Sequence, residues 1–297
     1  MEYTQDELDR YLQHINYPRS KHPQDALQRL TELTARQVSR VPFESFSLHY
    51  SPHKQLCLDP EALFEKIVVH GKGGYCMELN GLFAGMMRAL GYTVLSVGGR
   101  VKLPTRWTGL GHMVNIVTLN AVRYVVDVGF GSHQPMRPIQ LTPNQIFTQI
   151  APRRGLLEYR TLSQHTDPSQ RVWVYSTQED PSAPWEECNM FIDAEFFRAD
   201  YEAMNLSPMT SRSSPFVQNV LAMRAILNED TAEVDGVYTL FGNRVKRHMK
   251  NEKAQVVAEL TNEEERVKAI EKYFLVRLTG LERRAISGMT SELKEKP

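Results

Sequence analysis

Apolar positions in the first ninety residues recur with the 3.6-residue period of α-helices and predict four helices. Thr4 and Glu7 form a capping box before the first helix, and Asp59 with Pro60 marks the start of the third. The fourth helix spans residues 77–90 and ends at Gly91. The apolar stripes of the four helices are, in order, Leu8, Tyr11, Leu12 and Ile15; Leu27, Leu30, Leu33 and Val38; Leu63, Phe64 and Ile67; and Leu79, Leu82, Phe83, Met86, Met87 and Leu90.

From residue 93 the pattern changes to short β-branched or alternating runs separated by turn residues, which predicts an antiparallel sheet or barrel. The predicted strands are residues 93–101, 113–119, 123–130, 145–150, 157–162 and 171–176. Helices before strands, with few βαβ alternations, indicate an α+β protein.

The C-terminal third is mixed. A helix is predicted from Asp193 onward, and a Ser/Thr/Pro loop covers residues 207–215. Residues 216–226 fit neither period, residues 236–249 predict a strand pair, and Thr261 is predicted to cap a helix over 262–273. The charged tail beyond Gly280 is predicted to be frayed.

The amino-acid composition and the charge limit the partners and the cellular location that can be expected. The 297 residues are 41% apolar and 24% charged, and 35 Lys and Arg balance 35 Asp and Glu, which does not favour nucleic acid or an anionic membrane as partner. The sequence contains no run of the ~18–20 apolar residues that span a bilayer. The acidic first ten residues have no apolar core of a secretory signal peptide. A cytoplasmic protein is therefore expected.

The three cysteines are Cys57, Cys76 and Cys188. Their odd number and wide spacing favour neither a disulfide framework nor a zinc site, and no metal is expected. For Cys57 and Cys188 ordinary packing is the better interpretation. Cys76 differs, because it follows the glycine-rich turn 71–74 at the start of a predicted helix. The positive end of the helix dipole, with Lys72 nearby, favours a thiolate, and the glycines allow backbone N–H groups to approach an oxyanion.

His112 and Asp127 lie on two runs that predict a hairpin. A two- or four-residue turn centred on Asn120 and Ala121 places Asp127 opposite Val114, so that His112 becomes its diagonal neighbour on the same face. A three-residue turn would separate them. A carboxylate within an apolar strand also needs a partner, unless it lies at an edge in contact with water.

Cys76, His112 and Asp127 together suggest a triad of nucleophile, general base and orienting carboxylate. The residues alone leave protease, amidase and acyltransferase open.

Several ordered motifs resemble the arylamine N-acetyltransferase family. Residues 73–76 (Gly-Gly-Tyr-Cys), followed by Asn80, are similar to the family's nucleophile motif, and residues 41–44 (Val-Pro-Phe-Glu) to an upstream segment. Further matches are residues 108–112 with the histidine, 126–131 with the aspartate and a glycine loop, and 214–219 (Ser-Pro-Phe-Val-Gln-Asn). The likeness extends from about residue 5 to residue 275.

This resemblance implies a papain-like core in three parts: a helical bundle with the cysteine (1–92), a β-barrel with the histidine and aspartate (93–206) and an α/β lid (207–297). It also implies ping-pong transfer of an acyl group from acyl-coenzyme A, with acetyl, propionyl or malonyl as donor group, to an arylamine, arylhydrazine or N-hydroxyarylamine. A papain-like thiol hydrolase and a silent ligand-binding relative are the alternatives. A monomer or weak homo-oligomer is expected.

The resemblance also assigns binding residues. Coenzyme contacts are expected at Thr108, Gly109, Gly129, Gly131 and Ser214. Phe43 and Phe130 are expected to line an apolar acceptor pocket. The alternative interpretation of Phe43 and Phe130 is ordinary packing in the hydrophobic core.

One position departs from the family pattern. Lys72 stands where the family usually has an arginine that pairs with the glutamate matching Glu44. Lysine lacks the bidentate guanidinium fork, so a looser contact with Glu44 is expected.

Overall fold

The N-terminal third of the chain forms a group of helices. The computed structural model describes residues 3–294 of the chain. The helices are α1 (Gln5–His14), α2 (Ala26–Arg40), α3 (Ser47–Tyr50), α4 (Pro60–Phe64) and α5 (Cys76–Ala89), with a short strand β1 (Phe43–Glu44) after α2. The capping box at Thr4 and the cap at Asp59 are confirmed, and Gly91 has a φ of +88° beyond the end of α5.

A π-helical turn, Glu65–Val69, extends α4 towards the loop before Cys76. The backbone N–H of Lys72 donates to the carbonyl of Lys66, 3.1 Å away. This turn therefore fixes the start of the loop 70–75, which leads to the predicted nucleophile Cys76 and is called the nucleophile loop below. The turn also places Lys66 beneath that loop.

The middle of the chain forms an antiparallel, nearly closed barrel-like sheet. Its strands are β2 (Thr93–Leu103), β3 (Arg106–Trp107), β4 (His112–Leu119), β5 (Val122–Val126), β6 (Ile139–Gln140), β7 (Gln145–Thr148), β8 (Arg154–Arg160), β9 (Val172–Gln178) and β10 (Glu186–Glu195). The order is β6-β5-β4-β2-β10-β9-β8-β7, with β3 paired to β2. Side chains from both edge strands, Ile139 and Phe147, line one small internal cavity of about 10 Å³, so the interior is filled by side chains.

The prediction of a helix from Asp193 is wrong at its start. The strand β10 continues to Glu195, and the helix α6 spans Arg198–Thr210. The residues before α6 pair with both β2 and β9, and the backbone N–H of Phe196 still donates to the carbonyl of Ser96. Pairing with two neighbouring strands overrides the local helical spacing of the aromatic residues.

A second antiparallel sheet follows α6 and a short helix α7 (Pro215–Gln218). Its strands are β11 (Leu221–Leu227), β12 (Val234–Phe241), β13 (Arg244–Met249) and β14 (Gln255–Glu259), and β1 from the N-terminal third pairs with β11. The predicted strand pair is confirmed, and the unassigned segment 216–226 divides between α7 and β11. The final helices are α8 (Glu263–Phe274) and α9 (Gly280–Arg284).

The cap of α8 and the state of the tail differ from expectation. Asn262, not Thr261, accepts the N–H of Glu265 and begins α8. The tail after Gly280 is folded: Ile286 is 1% exposed, and Lys54 donates to the carbonyl of Ala285 at 2.7 Å. The tail was predicted to fray because it is rich in charged residues. Its partners lie far away in the sequence, so they could not be identified from the residues nearby. Residues 295–297, which that prediction also covered, lie outside the described residues.

Two glycines within α5 provide a matched test of this packing. A Cβ at Gly81 would meet Leu63 at an ordinary 3.5 Å, whereas a Cβ at Gly85 would lie 2.4 Å from the ring of Tyr3. We expect Gly81→Ala to raise the free energy of unfolding by about 0.5–1 kcal/mol, because alanine loses less backbone entropy in a helix. Gly85→Ala should gain less or lose stability. Urea unfolding of both variants measures this, and equal gains would contradict the packing described.

Candidate active site

Cys76 is the first residue of α5 and follows a loop held in place by main-chain hydrogen bonds. Gly74 pairs with Phe43 in a parallel bridge, and its carbonyl accepts from the N–H of Glu44 at 2.8 Å. The Cys76 side chain is 5% exposed, and its Sγ lies 3.7 Å from the carbonyl oxygen of Gly111. The unpaired N–H groups at the helix start favour negative charge on this sulfur.

The hairpin that carries His112 and Asp127 has a turn with an even number of residues, as predicted for two side chains on the same face. Leu119 pairs with Val122 around Asn120 and Ala121, both of which have positive φ. This is the two-residue turn geometry that suits the twist of a hairpin. The paired register ends with Asn115 opposite Val126, and Asp127 directly follows this last residue of β5.

The side chains of His112 and Asp127 meet as predicted. His112 Nε2 lies 2.7 Å from Asp127 Oδ2, and the two residues are 1% and 2% exposed. With Nε2 occupied by the carboxylate, Nδ1 is the nitrogen left for the thiol of Cys76. Asp127 is therefore not a solvent-exposed residue at a sheet edge, which was the alternative interpretation of its position.

Asn80 connects all three parts of the site, and its role was not predicted. Its Nδ2 donates to Asp127 Oδ1 at 2.9 Å and to the carbonyl of Met113 at 2.8 Å, while its Oδ1 accepts from the N–H of Val128 at 3.0 Å. Asn80 lies four residues after Cys76 and therefore on the same side of α5. That spacing was the available signal, because a polar residue on the buried face of a helix requires partners.

Electrostatics favour a protonated imidazole. Burial by itself lowers the pKa of His112, but the charge and hydrogen bond of Asp127, together with the interaction with Cys76, raise it to about 10. The desolvated carboxylate stabilises the imidazolium form, as expected for opposite charges in contact. The imidazolium is therefore the form of His112 that this environment supports beside Cys76.

The loop after Asp127 packs directly on Cys76. A Cβ at Gly129 would lie 2.7 Å from Cys76 Cα and 2.9 Å from Asn80 Nδ2, so only glycine permits this approach. The ring of Phe130 lies edge-on to that of His112, with centroids 5.0 Å apart. Gly131, with a φ of +75°, turns the chain so that its α-carbon faces Phe43.

The predicted pocket aromatics form part of a larger group. Phe43 lies edge-on to Phe216 with ring centroids 5.9 Å apart, and Tyr75 meets the same ring at 5.3 Å. Phe43 and Phe130 are both half-buried and lie on the two sides of Gly131. Phe216 and Tyr75 were not predicted as pocket residues. Phe216 belongs to the Ser-Pro-Phe motif, which was the available signal.

The five residues that were predicted to contact the coenzyme are not linked into one group by hydrogen bonds. Gly109 is exposed, and Thr108 Oγ1 accepts from the N–H of Val101 at 2.9 Å. Ser214 is 7% exposed, and its hydroxyl donates to the carbonyl of Pro208 at 2.6 Å. These contacts give Thr108 and Ser214 local structural roles in the protein alone.

The expected contact between Lys72 and Glu44 is wrong. Lys72 Nζ lies 2.8 Å from Glu282 and donates to the carbonyl of Arg277 at 2.6 Å. The folded tail supplies this partner, which no local pattern could reveal. Glu44 instead accepts a hydrogen bond from the backbone N–H of Phe46. Burial raises the pKa of the Glu44 carboxyl, and the positive charge of Lys66 opposes this rise.

Metal binding and membrane crossing are two further possibilities for residues 3–294. Within them, no group of three or more His, Cys, Asp or Glu side chains has the arrangement of a metal site. No helix of this part of the chain is long and apolar enough to cross a membrane.

Solved structures share this fold. The arylamine N-acetyltransferase of Nocardia farcinica is 28% identical, with a TM-score of 0.80 over 96% of this chain and 94% of that one. The enzyme of Mycobacterium marinum in complex with CoA is 24% identical, with a TM-score of 0.77 over 94% of this chain and 97% of that one. The fold is thus that of a class of acyltransferases.

Sequence comparison identifies the family. A model described as N-acetyltransferase matches residues 26–283. The N-malonyltransferase FDB2 of Fusarium pseudograminearum (strain CS3096) is 32% identical over 96% of this chain and 92% of its own length. The chain belongs to the arylamine N-acetyltransferase family and is an acyltransferase.

The raised pKa of His112 predicts a pH dependence of stability. The folded protein retains a proton up to about pH 10 that the unfolded chain releases near 6.5, so this group's contribution is complete below pH 6.5 and lost as pH rises towards 10. In this window the free energy of unfolding should fall by at most ~1.4 kcal/mol per pH unit on account of His112.

The control is Asp127→Asn, which leaves a buried ring without its counter-ion. The pKa of His112 should then fall below 6.5, so this variant loses the decline above pH 6.5 and is destabilised below it instead. Urea unfolding from pH 5 to pH 10 measures both profiles. Parallel profiles for the two proteins would contradict the charge assignment.

Proposed function

We propose that the protein is an N-acyltransferase that carries a short acyl group from acyl-coenzyme A on Cys76 to an arylamine, arylhydrazine or N-hydroxyarylamine. The observation that carries the proposal is the buried constellation in which Cys76 begins α5 while His112 contacts Asp127 at 2.7 Å. Membership of the family and the CoA complex of the Mycobacterium marinum relative support the donor class.

In the first half-reaction the Cys76 thiolate attacks the thioester carbonyl of the donor. The carbon–sulfur bond to coenzyme A breaks, and the leaving thiolate takes the proton held by the His112 imidazolium. In the second half-reaction the amine nitrogen attacks the acyl-Cys76 carbonyl and His112 accepts the amine proton. The Cys76 thiolate leaves, so the thiolate–imidazolium pair is regenerated.

Asp127 and Asn80 hold the His112 ring in the orientation that this proton exchange requires. Asp127 binds Nε2 of His112, and Asn80 holds the opposite carboxylate oxygen, so the ring keeps Nδ1 directed at the thiol. The same three-group logic operates in cysteine proteases, and we propose a papain-like core on this basis.

The acceptor site is proposed at the half-buried rings of Phe43, Phe130 and Phe216, with the fully buried Tyr75 packed against Phe216. Flat rings offer edge and face contacts to an aromatic amine, and the low exposure of Cys76 keeps water from the acyl-enzyme. Thr108, Gly109, Gly129, Gly131 and Ser214 are proposed to contact the coenzyme. For Gly129 the close approach to Cys76 is already a sufficient reason for glycine.

A malonyl donor is the second candidate, favoured by the identity to an N-malonyltransferase over nearly the whole chain. The chemistry at Cys76 is the same for both donors. Only recognition of the free carboxylate of malonate differs, and a cation near the acyl end of the coenzyme would be required for it.

We retain the division into a helical bundle (1–92), a β-barrel (93–206) and an α/β lid (207–297) as a proposal. A cytoplasmic location and a monomer or weak homo-oligomer are proposed on the same footing.

Mass spectrometry of the protein after incubation with acetyl-, propionyl- or malonyl-coenzyme A tests the nucleophile and the donor together. We expect one acyl adduct, located on the peptide that contains Cys76 and absent from Cys76→Ala. Cys57→Ala is the matched control, because it removes an exposed thiol and should acylate normally. Absence of an adduct with every donor would overturn the transferase proposal, and adduct loss without amine would indicate a hydrolase.

Asp127→Asn tests the orienting carboxylate during the reaction. The rate of acylation should fall by about 10²- to 10⁴-fold, because the buried imidazole loses its tautomer control and its charge partner. Stopped-flow release of coenzyme A measures the rate. A near-native rate would mean that Asp127 serves structure alone.

A further inference from the structure

A single lysine lies beneath the nucleophile loop among buried carboxylates. Lys66 Nζ contacts Glu78 Oε1 at 2.6 Å, and the side chains of the two residues are 19% and 1% exposed. Burial lowers the pKa of Lys66, but the charge of Glu78 and then that of Glu44, which is 3% exposed, raise it above its usual value. Lys66 thus pairs directly with Glu78 and acts on Glu44 through its charge alone.

Glu78 in turn holds the start of α5. Its second oxygen, Oε2, accepts from the N–H of Tyr75 at 3.1 Å, which is the acidic half of a capping box. The carboxylate lies directly over Gly74, since a Cβ there would be 2.8 Å from Oε2. Glu78 therefore restrains the two residues immediately before Cys76.

Glu44 holds the same loop from the other side. Its backbone N–H donates to the carbonyl of Gly74 at 2.8 Å, and a Cβ at Gly73 would lie 2.6 Å from its Cγ. The Glu44 side chain is buried, and this burial raises the pKa of its carboxyl. In such surroundings an uncompensated carboxylate is costly.

A second cation, Lys72, also lowers the pKa of Glu44, less than Lys66 does, and its ammonium is bound by Glu282. From the barrel side the loop is faced by the triad partners of Cys76. The charged groups around the nucleophile loop are therefore Glu44, Lys66, Lys72, Glu78, His112, Asp127 and Glu282. Among these, only Lys66 contacts the carboxylate that caps α5.

We propose that Lys66 is a positioning residue for the nucleophile: it compensates Glu78, fixes the loop that presents Cys76, and prevents the buried carboxylates from opposing negative charge on the sulfur. This rests on the proposed function for its importance to catalysis, but not for its effect on the thiol. The mechanism is electrostatic, because like charge nearby disfavours a thiolate and opposite charge favours it.

Opposite shifts in two single variants test this role. Lys66→Met leaves the carboxylates uncompensated and should move the midpoint of Cys76 alkylation to higher pH, by about one unit, with about tenfold slower alkylation at pH values below the native midpoint. Glu78→Gln keeps an acceptor for the Tyr75 N–H but frees the ammonium, and should move the midpoint to lower pH. Lys66→Met/Glu78→Gln should return close to the native midpoint, and Lys66→Arg should retain it.

The measurement is the rate of iodoacetamide alkylation of the Cys76 peptide from pH 5 to pH 10, followed by mass spectrometry, with melting temperatures recorded in parallel. Lys268→Met is the matched control, because it removes an exposed lysine that pairs with Glu264 on α8. It should leave the profile unchanged.

A native alkylation profile in Lys66→Met, or a shift in the same direction for both single variants, would overturn the proposal even if the melting temperatures fall. If Lys66→Met does not fold, the double variant and Glu78→Gln carry the test. Alkylation needs no acyl-coenzyme A, so failure of the transferase proposal would appear only in the acyl adducts and leave these profiles intact.

Discussion

The contact between Asp127 and His112 is the interaction on which the rest of the site depends. Asp127 is 2% exposed and His112 is 1% exposed, and a buried charge is costly unless it has a partner, so each side chain stabilises the other. The hairpin turn at Asn120 and Ala121 sets the register that brings the two together. Asn80 then ties the pair to the helix of the nucleophile, so helix and barrel are fixed relative to each other by one buried polar network.

The nucleophile loop joins three regions of the fold in a few residues. Gly74 bridges to β1, which pairs with β11 of the second sheet, while Cys76 packs on Gly129 after β5. Lys72 connects the loop to the C-terminal tail through Glu282, and Lys66 compensates the charge beneath it. The structure thus distributes to two lysines the support that the family resemblance assigns to one arginine.

Prediction from the sequence worked where local signals dominate and failed where distant partners decide. The caps at Thr4 and Asp59, the start of α5 near Cys76 and the even hairpin turn were readable, because each depends on residues a few positions apart. Asp193 was assigned to a helix although its strand is held by β2 and β9, and the tail after Gly280 was expected to fray although Lys54 and Lys72 anchor it.

The sequence by itself determined the chemistry-bearing residues and their local settings: a cysteine at a helix start after glycines, and a histidine and an aspartate on one face of a hairpin. Periodicity and turn chemistry are short-range properties, so they can be read from neighbouring residues. Only the tertiary structure decided that Asn80 joins the pair, that Lys72 turns to Glu282 and that Lys66 lies against Glu78. These are choices between chemically equivalent partners, and burial and distance, which exist only in the folded chain, select among them.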